Sequence, residues 1–429
     1  MFLNKLPRLL LTSAALAVGA VSLPAAAGAN EIVPGEVIVQ YENPQTGEAP
    51  SPAAAEPVVL KVDNVAEALK RLRAKSNVAY AVPNLIAHAA ATSYMPNDPK
   101  LRSLQWNFIG TYGVRAPQAW ANARAAGRPG GRGTVIAVID TGVAYSNRSP
   151  YIRSPDFTSR QFVSGWDYVD GDRYANDANG HGTHVAGTIA EATNNGLYLS
   201  GLAYGARIMP IRVLDRAGEG HADDIARAIR LAADKGAKLI NLSLEFDSAT
   251  TSGEVRPLLS AISYARSRGA LIVGASGNEG YGTVSYPARA PGVMSVGSTT
   301  ESGCVSDFSN GGSDLDIVAP GGGLDGRGSG ESRCRPGDSS RRDISQLTFS
   351  TEGMARRFGI PGSYEGTSMA TPHVTAAAAL VIATRVIGAS PSPGQLEARL
   401  KSTARDFGVA GRDRYYGAGL LDAGAASAR

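Results

Sequence analysis

Four short stretches carry side chains able to do chemistry: Asp140 at the end of "TVIAVID", His181 in "NGHGTHVAGT", Asn278 in "LIVGASGNEG" and Ser368 in "EGTSMATPHV". Each residue alone reads as a cap or turn residue, because Ser, Asp and Asn are ordinary at helix starts. Together they supply what acyl transfer requires. A hydroxyl attacks, an imidazole takes its proton, a carboxylate fixes the imidazole tautomer, and an amide donates to the oxyanion that develops on the substrate. The Ser368 N–H is a second oxyanion donor, since it opens the helical run "VTAAAALVIAT", whose dipole favours negative charge at that end. Pro372 is expected in the first turn of this helix, where its missing N–H costs little. Small residues surround all four positions and let a substrate backbone approach closely.

The elements that must hold these groups are legible from about Pro96 onward. "GTVIAVID", "RIMPIRVL", "AKLINLSL", "ALIVGASGN" and "VMSVGS" are apolar strands, and "DDIARAIRLAADKG" and "LLSAISYARSRG" are amphipathic helices between them. Continuous Val/Ile/Leu strands alternating with helices predict an α/β fold, a doubly wound, mostly parallel sheet with helices on both faces. Sites in such sheets collect at the carboxyl ends of strands, where Asp140 and Asn278 stand. Upstream, "EIVPGEVIVQY", "VVLKV", "NVAEALKRLRAKS" and "NVAYAVPN" read as a small α+β module interrupted by a Pro/Ala-rich linker. Val65, Leu69 and Leu72 share a helical face, and Val78, Tyr80 and Val82 alternate as in a strand.

The composition excludes some partners. With 429 residues, 43% hydrophobic and 19% charged, the chain can bury a large core. The 42 basic and 38 acidic residues leave +4 without a long Lys/Arg run, so nucleic acid is not expected as a partner. Residues 1–29 place Lys5 and Arg8 ahead of an apolar stretch ending in small residues, the layout of a secretory signal. That predicts a secreted protein with no membrane association once the signal is removed. Cys304 and Cys334 are the two cysteines, and export would join them in one disulfide.

The region from about Pro96 to Arg429 resembles the subtilisin family (subtilases) of serine endopeptidases. "VIAVIDTGV", "NGHGTHVAGT", "ASGNEG" and "GTSMATPHV" match its signature blocks, in its order Asp, His, Ser. The resemblance implies that Asp140 orients, His181 is general base and acid, Ser368 is the nucleophile and Asn278 donates to the oxyanion, with His184 and His373 structural. It implies hydrolysis of protein and peptide substrates with broad specificity. Segments ending at Gly220 and running through Ser243 and Leu244 would pair with the substrate backbone. Glu245 and Phe246 replace the two glycines usual there, which makes the rim bulkier and more acidic. The first pocket maps to Ala275, Ser276, Gly277, Glu279 and Ser285; Ser285 favours medium-sized P1 residues, and Glu279 accepts Lys or Arg.

The resemblance further implies a structural Ca²⁺, held by Asp98, Asp156 and Asn195 side chains and by the carbonyls of Thr193, Leu197 and Leu199. No catalytic metal or organic cofactor is expected. "DYVDGDRYAND" reads either as a second ion site or as a solvated acidic loop. Residues 30–91 would be a propeptide that assists folding and inhibits residues 92–429, the catalytic domain of a monomeric enzyme. The Pro/Ala linker stands where a first propeptide helix is usual. The enzyme itself is expected to cleave the junction between Leu85 and Tyr94.

Overall fold

The computed structural model describes residues 32–41, 57–85, 93–326, 331–337, 342–351 and 355–429, in two compact units that divide at His88 and Ala89. The proposed signal and the junction at 86–92 lie outside the described residues. Among the described residues, no helix is long and apolar enough to cross a membrane.

In the first unit, β1 (Ile32–Tyr41) lies between β2 (Val58–Lys61) and β3 (Val78–Leu85), antiparallel to both. The helix Val65–Arg73 starts where the Asn64 side chain accepts the Glu67 N–H at 3.1 Å, an ordinary cap. Its Ala68 and Leu72 pack with Val37, Val39 and Ala81. The alternation at Val78, Tyr80 and Val82 locates the strand, but Ala81 is the residue it buries, and Tyr80 and Val82 are exposed.

In the second unit, seven strands form one sheet: β4 (Val135–Asp140), β5 (Trp166–Asp167), β6 (Arg207–Arg212), β7 (Leu239–Leu242), β8 (Leu271–Ala275), β9 (Val293–Thr299) and β10 (Ile317–Pro320). Their order is β10-β9-β8-β7-β4-β6-β5, and every neighbouring pair is parallel. Strand side chains alternate between the two faces. Ile136 and Val138 enter a core with Trp120, Val185, Ala377 and Leu380, while Ala137 and Ile139 enter one with Ile225, Ile229, Leu258 and Ile262. Apolar residues are therefore needed at successive positions, which is why these strands read as unbroken hydrophobic runs. The strand order reverses at β4, which has β6 on one side and β7 on the other, so the chain leaves its carboxyl end at the crevice where such sheets place ligands.

The helix Thr367–Thr384 runs through the first of these cores and is buried nearly all round. A helix without a polar face is a core helix, and alanines at 376–379 keep it thin enough to pack closely. Pro372 is the sixth residue of this helix, so it lies in the second turn, not the first. It leaves the Ser368 carbonyl without its i+4 donor, and the Ser243 hydroxyl donates to that carbonyl instead, at 2.8 Å. The proline is tolerated because a neighbouring loop supplies the missing bond.

Candidate active site

Asp140 ends β4 and is fully buried. Its Oδ1 accepts the Thr141 N–H at 2.7 Å and faces His181 Nδ1 at 2.7 Å. That contact assigns Nδ1–H as the donor and leaves Nε2 for a substrate or nucleophile proton. The approach requires Gly182, where a Cβ would meet the Gly142 carbonyl oxygen at 2.1 Å and Asp140 Oδ1 at 3.0 Å. His181 opens the helix His181–Ala190, and its side chain is 25% exposed. Burial pulls its pKa down, but the charge and hydrogen bond of Asp140, with the charge of Asp177, hold it above the ordinary imidazole value.

The turn that delivers His181 is organised by Asp177. Its Oδ1 accepts from Thr141 Oγ1 and from the Asn179 and Gly180 amides; its Oδ2 accepts from the Thr183 amide and hydroxyl. The sequence reading placed Asp177 in an acidic loop and missed this role, although an Asp followed by Asn179 and Gly180 is an Asx-turn signal. The other acids of that loop are also engaged: Arg212 pairs with Asp167 at 3.0 Å and with Asp170 at 2.7 Å.

Ser368 is the second residue of its helix. Its hydroxyl donates to the Ser243 carbonyl at 3.3 Å rather than to His181. Ser243 is held in turn by Asn241 Nδ2 at 2.9 Å, and Thr375 Oγ1 donates to Asn241 Oδ1. His181, Ser368, Gly220, Ser243, Leu244 and Glu245 line one cleft of about 810 Å³.

Asn278 lies beyond β8 with its amide oriented by two donors: Oδ1 accepts from the Thr367 amide at 2.8 Å and from its hydroxyl at 3.0 Å. Its Nδ2 donates to Glu245 Oε1 at 2.9 Å, and its backbone N–H donates to Glu245 Oε2 at 3.1 Å. Of the residues that the resemblance assigns to the first pocket, Ala275, Ser276, Gly277 and Ser285 are buried and Glu279 is exposed. Asn310, which the sequence reading did not single out, knits them together. It donates to Glu279 Oε2 at 2.5 Å and to Ser285 Oγ at 3.3 Å, and its carbonyl accepts Ser276 Oγ at 2.9 Å.

His184 and His373 have structural surroundings. His184 donates from Nε2 to the Ile344 carbonyl at 2.9 Å and stacks on Tyr364, and burial drives its pKa down to about 3. His373 contacts the Met369 carbonyl through Nδ1 and Asn107 through Nε2, and burial lowers its pKa to about 4.

Asp98, Asp156 and Asn195 converge. Asn195 Nδ2 donates to Asp156 Oδ1 at 2.7 Å, and the Asn194 and Asn195 amides donate to Asp98. Burial pushes Asp156 up to about 6, with bonds from Asn195 and Leu199 opposing and the Asp98 charge adding to the shift. Two buried carboxylates without an ion-pair partner among the described residues fit a hard divalent cation. The Thr193, Leu197 and Leu199 carbonyls, which accept no hydrogen bond among those residues, suit the same role. Cys304 and Cys334 lie at bonding distance, with Cα atoms 5.7 Å apart.

A strand end, a helix start and a helix N-terminus thus set Asp140 behind His181 and bring His181 and Ser368 to one cleft, the constellation of a serine hydrolase. The profile of the subtilase family matches residues 131–419. The chain is 36% identical over 364 residues to the thermophilic serine proteinase of Bacillus sp. (strain AK1), covering 81% of this chain and 78% of that one. It is 36% identical over 330 residues to thermitase of Thermoactinomyces vulgaris, covering 77% and 98%. Among solved structures, a protease from Pseudoalteromonas arctica matches with a TM-score of 0.63 at 31% identity, covering 77% of this chain and 98% of that one. The chain belongs to the subtilase family, and it is a serine endopeptidase.

Proposed function

We propose that Ser368, His181, Asp140 and Asn278 carry peptide-bond hydrolysis through an acyl-enzyme. The observation that supports this most directly is the 2.7 Å contact between Asp140 and His181 on a cleft that Ser368 also lines. The Ser368 hydroxyl rotates from the Ser243 carbonyl to His181 Nε2, gives up its proton and attacks the scissile carbonyl. The oxyanion takes hydrogen bonds from Asn278 Nδ2 and the Ser368 amide; His181 then protonates the leaving amine and activates the water that releases the acid. Gly220, Ser243 and Leu244 bind the substrate backbone as an added strand, and Ser276, Gly277, Glu279 and Ser285 border its P1 side chain. Incubation of the processed protein with casein tests the activity: hydrolysis lost in Ser368→Ala is expected, and an inert wild type would sink the reading.

The protein is exported by the signal at 1–29 and works as a secreted monomer with Cys304 and Cys334 joined. Residues 30–91 act as a propeptide that the enzyme removes between Leu85 and Tyr94. N-terminal sequencing of the secreted form tests that division, and a mature start upstream of Glu31 or downstream of Trp106 would refute it. A structural Ca²⁺ would be held by Asp98, Asp156 and Asn195 with the Thr193, Leu197 and Leu199 carbonyls. When bound, it supplies charge compensation that fixes the loop.

A further inference from the structure

Glu245 lies across the pocket that should receive the P1 side chain. Its carboxylate is held by both nitrogens of Asn278, Nδ2 at 2.9 Å and the backbone N–H at 3.1 Å. A Cβ built on Gly277 would meet Glu245 Oε2 at 2.7 Å and Ser285 Oγ at 2.9 Å, so the carboxylate sits within the pocket lining. Glu245 lines the open cleft together with His181 and Ser368, so its carboxylate faces both the cleft and Gly277. The pocket holds a second acid, Glu279, whose Oε2 is bonded to Asn310. Neither carboxylate pairs with a Lys or Arg among the described residues. Burial and the neighbouring Glu279 charge both disfavour ionised Glu245. The two acids therefore lack a countercharge, and Glu245 takes one of the two hydrogens of the Asn278 amide.

We propose that Glu245 is a specificity-determining residue that biases cleavage toward Lys or Arg at P1. This rests on the serine endopeptidase reading above and deepens it by naming a substrate class. A cationic P1 side chain entering the pocket pairs with Glu245 and Glu279 and draws the Glu245 carboxylate away from Asn278 Nδ2. The oxyanion then forms beside a carboxylate whose charge is compensated. A neutral P1 side chain offers the carboxylate nothing, so the carboxylate stays on Asn278 and sets negative charge beside the site where negative charge must develop. The selectivity thus acts on kcat as well as on binding, which an acidic rim alone would not do.

The test uses the processed enzyme, its active fraction counted by labelling with diisopropyl fluorophosphate, and chromogenic peptides identical except for Arg, Lys, Leu or Phe at P1. Wild type is expected to favour Arg and Lys over Leu and Phe by about tenfold or more in kcat/KM. In Glu245→Gln, which keeps the shape, that ratio should collapse. In Glu245→Gly, kcat for the Leu peptide should rise, because the negative charge beside the oxyanion is removed. Glu279→Gln should narrow the ratio less, since Glu279 is exposed. A wild type that favours Leu or Phe, or a Glu245→Gln enzyme with an unchanged ratio, would overturn the proposal while leaving the endopeptidase reading intact. Failure to label or to cleave any peptide would instead remove that reading, and this proposal with it.

Discussion

The Ser243 hydroxyl donates to the Ser368 carbonyl at 2.8 Å, the same carbonyl that Pro372 leaves without a helical donor. The Thr367–Thr384 helix is thereby tied to the loop after β7 that lines the cleft. Ser243→Ala should leave a buried carbonyl unsatisfied and cost about 1–3 kcal/mol. Pro372→Ala restores an N–H to that carbonyl, so the double variant should lose less than Ser243→Ala alone. Urea unfolding of protein blocked at Ser368 measures this coupling, and equal losses in both backgrounds would reject it.

Asp177 should matter for rate although it is fully buried behind His181. An amide at this position would keep one acceptor oxygen and set two hydrogens against the two or three donors that face the other, which displaces the turn before His181. Asp177→Asn is expected to lower kcat on the order of 10²-fold with little change in KM, the scale of a misplaced catalytic group. A variant that is merely less stable, with kcat intact, would assign Asp177 to the fold alone.

His181 must be neutral to act as a base, and its pKa is held above the ordinary value. Activity should therefore rise with pH through a midpoint above about 6.5. Asp140→Asn removes the charge that raises it, so the midpoint should move down as kcat falls by on the order of 10⁴, the loss known for this change in another Ser-His-Asp enzyme. Asn278→Ala should cost about 10²–10³ in kcat, the figure measured for subtilisin's own oxyanion amide. A pH profile that Asp140→Asn leaves in place would separate Asp140 from the imidazole.

Calcium should stabilise the protein by mass action, by about 2.7 kcal/mol at a hundredfold excess over Kd. Chelation is expected to lower Tm, and Asp98→Asn should shrink the difference between chelated and calcium-loaded samples. Identical melting curves with and without calcium would remove the site.

Much of this was legible in the chain alone. Acyl transfer demands particular residue types, so Asp140, His181, Asn278 and Ser368 announce themselves when read together, and a sheet covered on both faces demands apolar runs such as "VIAVI". The resemblance to the subtilisin family likewise marked Glu245 and Phe246 as departures from two usual glycines. The sequence did not show that the Glu245 carboxylate turns onto Asn278, 33 residues away, or that Ser243 serves a carbonyl 125 residues away. Nor did it show that Asp177 gathers five donors while its acidic neighbours pair with Arg212. Those facts depend on where side chains point once β4, β7, β8 and the Thr367–Thr384 helix are packed, because a hydrogen bond is fixed by distance and direction in space, and residue identity sets only what each group is able to donate or accept.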